Sequence, residues 1–212
     1  KRYSVSKWTI FELENRLRKP LPGKEAQYKM APSYRADLSD DAIDKLNPRL
    51  SAVLVLLYPI ESEWHLVFTQ RRQYEGVHSG QISFPGGKQE VGETLEQTAI
   101  REAFEEVGVG ANDFRIVNPL SKLYIPPSNF LVFPQAAIAE EKPIFKKDDH
   151  EVESVVEIPV SFFLNPESRT NTKINIHKDY QYEVPAFIYE GKVIWGATAI
   201  IISELVELLG LD

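Results

Sequence analysis

The segment GGKQEVGETLEQTAIREAFEEVGV, residues 86–109, constrains this chain more than any other stretch. Thr94 followed by Gln97 has capping-box spacing, and Gly108 stands where a helix would end, so the sequence predicts a helix from Leu95 to Val107. At about 100° per residue, Leu95, Ala99, Ile100, Ala103, Phe104 and Val107 are expected to form the buried arc. Arg101, Glu102, Glu105 and Glu106 are expected on the other side. Like charges three or four residues apart weaken a helix by roughly a few tenths of a kcal/mol per pair. None of the three glutamates has a Lys or Arg one turn further on, so a positive charge from outside the helix is expected beside them.

A hard divalent cation suits that position, because Mg²⁺ takes carboxylate oxygens, keeps several waters and is usually completed by substrate phosphates. For an arbitrary Glu-Glu pair a solvated acidic face is the better reading. Here the turn Phe84-Pro85-Gly86-Gly87 runs into the same helix and can bring a backbone carbonyl beside the carboxylates. The pattern is metal plus phosphate.

The rest of the chain narrows the class. With 212 residues, 43% hydrophobic and 26% charged, it has the length for one globular domain with a sizeable core and an accessory segment. A formal net charge of -7 argues against a general nucleic-acid or anionic-membrane binder, which would reward a basic surface. The chain has no cysteine, hence no disulfide, thiolate nucleophile or cysteine-based zinc site. Apolar runs such as Ser51 to Tyr58 and Ala197 to Ile202 are too short to span a bilayer, and KRYSVSKW is not a secretory signal. The ending Gly210-Leu211-Asp212 is not a peroxisomal address. The expectation is a soluble cytoplasmic protein.

Residues 1–48 are expected to form an N-terminal extension to a compact domain over 49–212. Ile10, Phe11, Leu13 and Leu17 suggest a short amphipathic helix stopped by Pro20-Leu21-Pro22-Gly23, and Ser39 is a candidate cap for another. LSAVLVLLYP, WHLVFTQ and ISFP read as strands ahead of the Gly-Gly turn, and FRIVNPLSKLYI, FLVFPQAAIA, EVESVVEIP, TKINIH and YQYEVPAFIYE follow as further strand candidates. GATAIIISELVELLG reads as a helix with Gly210 as its stop. Two helices about a mixed sheet suggest an α/β class, in a layered α/β/α arrangement.

The helix and its glycine turn resemble the box of the Nudix hydrolases: Gly, five residues, Glu, seven residues, Arg-Glu, apolar, any, Glu-Glu, any, Gly, apolar. Gly87, Glu93, Arg101, Glu102, Ala103, Glu105, Glu106, Gly108 and Val109 meet it without a departure. The resemblance implies a Nudix-type α/β/α sandwich. It also implies Glu102, Glu105 and Glu106 as ligands of Mg²⁺ or Mn²⁺, joined by the carbonyl of Gly86, and Glu93 with Arg101 as a structural ion pair.

Upstream, VFTQRRQYEGVHSGQISFPGG is similar to the signature of the coenzyme A pyrophosphatase branch. Thr69, Arg71, Gly80, Phe84, Pro85, Gly86 and Gly87 match, whereas Phe68 replaces a Leu, Arg72 a small residue and Gly76 a second Arg. IPPSNFLVFP, DHEVESVVEIPVSFFL and IWGATAIIISEL are similar to later segments of that branch, so the resemblance covers roughly residues 50–209. It implies cleavage of coenzyme A or an acyl-CoA into 3',5'-ADP and 4'-phosphopantetheine or its acyl derivative. The alternatives are a Nudix hydrolase for ADP-ribose, NADH or a damaged nucleotide, and a Nudix-fold sensor without catalysis. An intact set of glutamates speaks against the sensor. A small-molecule diphosphate is thus the expected partner, with no nucleic acid and no membrane, and the resemblance also implies a homodimer.

Hydrolysis needs a base. Glu102 is one candidate and Glu151, at the head of EVESVVEIP, is its rival, although a Glu before a strand is more often just a solvated turn. Arg71 and Arg72 are candidate phosphate contacts, with His78 between them and the glycine turn. Tyr124, Ser128 and Asn129 flank the Pro126-Pro127 turn, where contacting substrate and stabilising the turn are equally good readings. For Trp195, core packing is favoured over stacking on a base.

Overall fold

A computed structural model describes residues 8–33, 35, 37–72, 80–177 and 180–210. Three short helices come first, α1 (Ile10–Leu17), α2 (Gly23–Tyr28) and α3 (Asp40–Lys45). Strands β1 (Arg49–Ile60), β2 (Glu63–Arg71), β3 (Ile82–Ser83) and β4 (Gly86–Lys88) lead into helix α4 (Leu95–Val107). Strands β5 (Arg115–Pro119), β6 (Leu123–Ile125), β7 (Phe130–Ile138) and β8 (Val152–Pro159) follow, then α5 (Val160–Leu164). A hairpin of β9 (Arg169–His177) and β10 (Tyr180–Tyr189), strand β11 (Lys192–Trp195) and helix α6 (Gly196–Gly210) complete the order.

Eight strands, β1 to β8, form one mixed sheet, and β9, β10 and β11 form a second of three. β1 runs parallel to β7 along its length and antiparallel to β2 and β4. Side chains alternate along β1, and the two faces bury different cores. Ala52, Leu54, Leu56 and Tyr58 pack with Ala99, Ala103 and Val107 of α4. Val55 and Leu57 pack with Ile200, Ile201, Leu205 and Leu208 of α6. The sheet is thus covered on both faces, as the expected α/β/α layering requires.

The helix read from residues 94–108 has the expected bounds. Thr94 accepts from the Gln97 amide at 3.1 Å, Gln97 returns the bond at 2.8 Å, and Gly108 closes the helix at φ +75°. Its buried face differs from expectation. Phe104 is 62% exposed, whereas Glu106 is buried at 6%. Eleven positions after Leu95, Glu106 comes round to about 20° from it at 100° per residue, inside the apolar arc, while Phe104 lies about 180° away.

The N-terminal helices join the main core. Leu13, Leu17 and Met30 lie in the cluster that contains α6, and Ile43 of α3 packs on Tyr124 and Leu131. Glu204 of α6, fully buried, accepts from the amides of Gly23 and Ser121, both at 3.2 Å, and from the Gln27 side chain at 3.0 Å. α2 and β11 were not foreseen in the sequence, whereas the division of FRIVNPLSKLYI into β5 and β6 falls at Pro119, where a proline is expected to break the strand.

Candidate active site

Strand β4 and helix α4 hold the site between them. Gly86 and Gly87 lie opposite Val53 and Ala52 of β1, and a Cβ on Gly86 would sit 2.4 Å from the Ala52 carbonyl oxygen. A Cβ on Gly87 would sit 2.4 Å from the carboxylate of Glu102. The bare Gly86 therefore lets β4 lie close against β1, and the bare Gly87 leaves room for the Glu102 carboxylate of the helix. The Gly86 amide donates to Glu106 Oε2 at 3.1 Å.

Arg101 distributes its guanidinium over several acceptors. Its Nε donates to Glu93 Oε1 at 2.6 Å and one Nη to Glu93 Oε2 at 3.1 Å. The other Nη reaches Glu102 at 2.9 Å and Glu105 at 3.2 Å, and the Lys88 carbonyl accepts at 3.1 Å. Glu93 also accepts from Thr98 Oγ1 at 2.9 Å and the Glu90 amide at 3.0 Å. Arg101 and these donors hold the Glu93 carboxyl down at about 2, the guanidinium being the largest cause. The sequence reading gave Arg101 to Glu93 alone. The five N–H donors of a guanidinium fork reach two of the helix glutamates as well.

The other two carboxylates are pushed the opposite way. Burial raises Glu106 to about 7, and the charges of Glu102 and Glu151 add to it, against the Gly86 amide and Arg71. Burial likewise raises Glu102, helped by Glu105 and Glu151 and opposed by Arg101. Glu151, far away in sequence, thus acts on both carboxylates, and Arg71 acts on Glu106. Arg71 ends β2, and the amide of Arg72 donates to the Glu151 carbonyl at 3.4 Å.

Tyr124, Ser128 and Asn129 form a separate group. The Tyr124 hydroxyl donates to Asn129 Oδ1 at 3.0 Å, Asn129 Nδ2 to the Leu46 carbonyl at 3.2 Å, and Ser128 Oγ to the Ile125 carbonyl at 3.4 Å. Asn129 adopts φ +51°. Tyr124 and Ser128 thus bond within the turn, and Asn129 also ties it to the end of α3. Trp195 is half-buried beside Ile194, which belongs to the core. His78 lies outside the described residues.

The NUDIX domain family matches residues 48–178, more than half of the chain. The chain belongs to the Nudix family. Peroxisomal coenzyme A diphosphatase ndx-8 of Caenorhabditis elegans is 34% identical over 179 residues, 82% of this chain and 75% of its own. Mitochondrial coenzyme A diphosphatase NUDT8 of Homo sapiens is 28% identical over 168 residues, 78% of this chain and 71% of its own. A crystal structure of a MutT/nudix family protein from Enterococcus faecalis covers 96% of this chain and 75% of that one, with 16% identity and a TM-score of 0.47. This Nudix protein is a pyrophosphatase of the hydrolase class. Among its described residues, no helix is long and apolar enough to cross a membrane.

Nudix hydrolases generally use divalent metal ions. In this Nudix domain Glu102 and Glu105 share one Nη of Arg101 while Glu106 turns to the Gly86 amide, and among the described residues no ready-made group of three ligands converges. The donor chemistry nevertheless fits a hard cation. Glu102 and Glu106 offer carboxylate oxygens one helical turn apart on a wall partly closed to water, where burial and mutual repulsion disfavour both charges and a cation would favour them.

Proposed function

We propose that this Nudix hydrolase cleaves the diphosphate bond of coenzyme A or an acyl-CoA, giving 3',5'-ADP and 4'-phosphopantetheine or its acyl derivative, with Mg²⁺ or Mn²⁺. The observation that carries the reading is the intact row of Glu102, Glu105 and Glu106 beside a bare Gly86-Gly87 strand, with Arg71 acting on Glu106. The similarity to two coenzyme A diphosphatases supports the substrate.

Glu102, Glu105 and Glu106 would hold the metal, with the Gly86 carbonyl as a further oxygen. A divalent ion there would offset the repulsion between the diphosphate oxygens and an incoming hydroxide, and would stabilise the leaving phosphate oxygen. The capped helix and the Glu93–Arg101 pair keep the row in place. Glu151 is assigned as the base that takes a proton from the attacking water. Glu102 is engaged by Arg101, whereas the exposed Glu151 carboxylate has no hydrogen-bond partner among the described residues. Arg71 and Arg72 are assigned to the substrate's phosphates, a guanidinium gripping phosphate through paired hydrogen bonds.

The 3'-phosphate of coenzyme A provides the test. kcat/KM for coenzyme A should exceed that for dephospho-coenzyme A by about tenfold or more, and Arg71→Ala or Arg72→Ala should shrink the gap. Equal turnover of the two, or faster turnover of NADH or ADP-ribose, would overturn the substrate and leave the family in place.

A further inference from the structure

Between β7 and β8 the chain makes a turn that is tied to the end of α4. The Lys146 amide donates to the Val107 carbonyl at 2.8 Å, and the Asp148 amide donates to the Glu106 carbonyl at 3.0 Å. These are two of the carbonyls that a helix leaves without an internal partner at its C-terminus. The side chain of Asp148 then turns forward. Its Oδ1 accepts from the amides of His150 at 2.6 Å and Glu151 at 3.0 Å, while the Val152 amide closes onto the Asp148 carbonyl at 3.0 Å. A carboxylate that accepts two successive amides in this way fixes the backbone of an otherwise exposed turn.

We infer that Asp148 is a positioning residue for Glu151, hanging the turn that carries the base from the helix that carries the metal ligands. The inference rests on the proposed role of Glu151 as base. Asp148 bonds the main chain of both residues at once, which gives the Glu151 and Glu106 backbones a short local tie beside the one that the Glu151 carbonyl makes to the Arg72 amide. Without the side-chain acceptor, the Glu151 amide turns to water and the carboxylate loses its fixed origin.

The test uses the full chain with Mg²⁺ and coenzyme A, and compares kcat and KM for Asp148→Ala, Asp148→Asn, Glu151→Gln and the double variant Asp148→Ala with Glu151→Gln. Glu151→Gln should lower kcat by about 100-fold or more, the scale of a general base. Asp148→Ala should lower kcat by about tenfold or more with KM nearly unchanged. Asp148→Asn keeps an oxygen for the two amides and should stay within about threefold of the parent. In the Glu151→Gln background, Asp148→Ala should add no further loss, because both act on one step. Should Asp148→Ala fail to fold, Asp148→Glu, which keeps the charge but moves the acceptor, carries the same expectation. A kcat untouched by Asp148→Ala, or losses that multiply in the double variant, would overturn the inference while Glu151 stands as base. A kcat untouched by Glu151→Gln would instead remove the base itself.

Discussion

Arg101 bonds three carboxylates and a main-chain carbonyl, and the ion-pair carboxylate of Glu93 fails differently from the proposed metal ligands when neutralised. Glu105→Gln and Glu106→Gln remove proposed metal ligands, so both should lose most of kcat while their far-UV spectra match the parent; an unchanged kcat in Glu106→Gln would remove it from the ligand set. Glu93→Gln should act on stability, with a defined pH dependence. Its folded carboxyl lies at about 2, below the ordinary 4.5, so its stabilisation is fully present above pH about 4.5 and is lost as pH falls toward about 2. Thermal melts should therefore show the parent ahead of Glu93→Gln near pH 6 and the gap closing by pH 2. A gap that stays constant would show that the pair contributes nothing through its charge. The pairing of Arg101 with Glu93 was legible through the resemblance, which implies an ion pair at these two positions of the box. The extra bonds to Glu102 and Glu105 were not, because a guanidinium's reach depends on side-chain geometry that a spacing does not encode.

At the scale of the element, the strand-to-helix unit works because β4 has no side chains where Glu102 lies. Gly87→Ala would place a methyl group on that carboxylate, and a displacement of about 1 Å at a reacting centre can cost about 100-fold. Its kcat should fall steeply while the melting temperature moves little; an active Gly87→Ala would mean that Glu102 has room to spare. The caps govern stability instead. Thr94→Ala should cost about 1 kcal/mol. Gly108→Ala should cost at least about 1 kcal/mol, since it combines φ +75° with a Cβ only 3.0 Å from Lys146, and chemical denaturation measures both. The bounds of α4 were readable because capping is local chemistry within a few residues. Its buried face was misjudged at Phe104 and Glu106, where residue type was followed over angular position. β11 and α2 are four and six residues long, too short for a period to show.

Over the whole molecule, the sheet supplies a rigid floor and α6 ties the first helices to it through Glu204. Glu204→Ala would leave three donors without an acceptor, each unsatisfied donor costing about 1 to 3 kcal/mol, so the chain should melt several degrees lower with its KM little changed. A melt equal to that of the parent would show that water replaces the carboxylate without loss. No sequence pattern announced this contact, since its partners lie 83 to 181 positions away. The proposed activity is metal-dependent cleavage of a coenzyme A diphosphate by this acidic row. It is tested most directly by incubating the chain with coenzyme A, NADH and ADP-ribose, with Mg²⁺, with Mn²⁺ and after exhaustive chelation, and weighing the products. The predicted result is 3',5'-ADP with 4'-phosphopantetheine from coenzyme A, formed fastest of the three cleavages and abolished by chelation. Cleavage that survives chelation, or intact coenzyme A beside hydrolysed NADH or ADP-ribose, would contradict it.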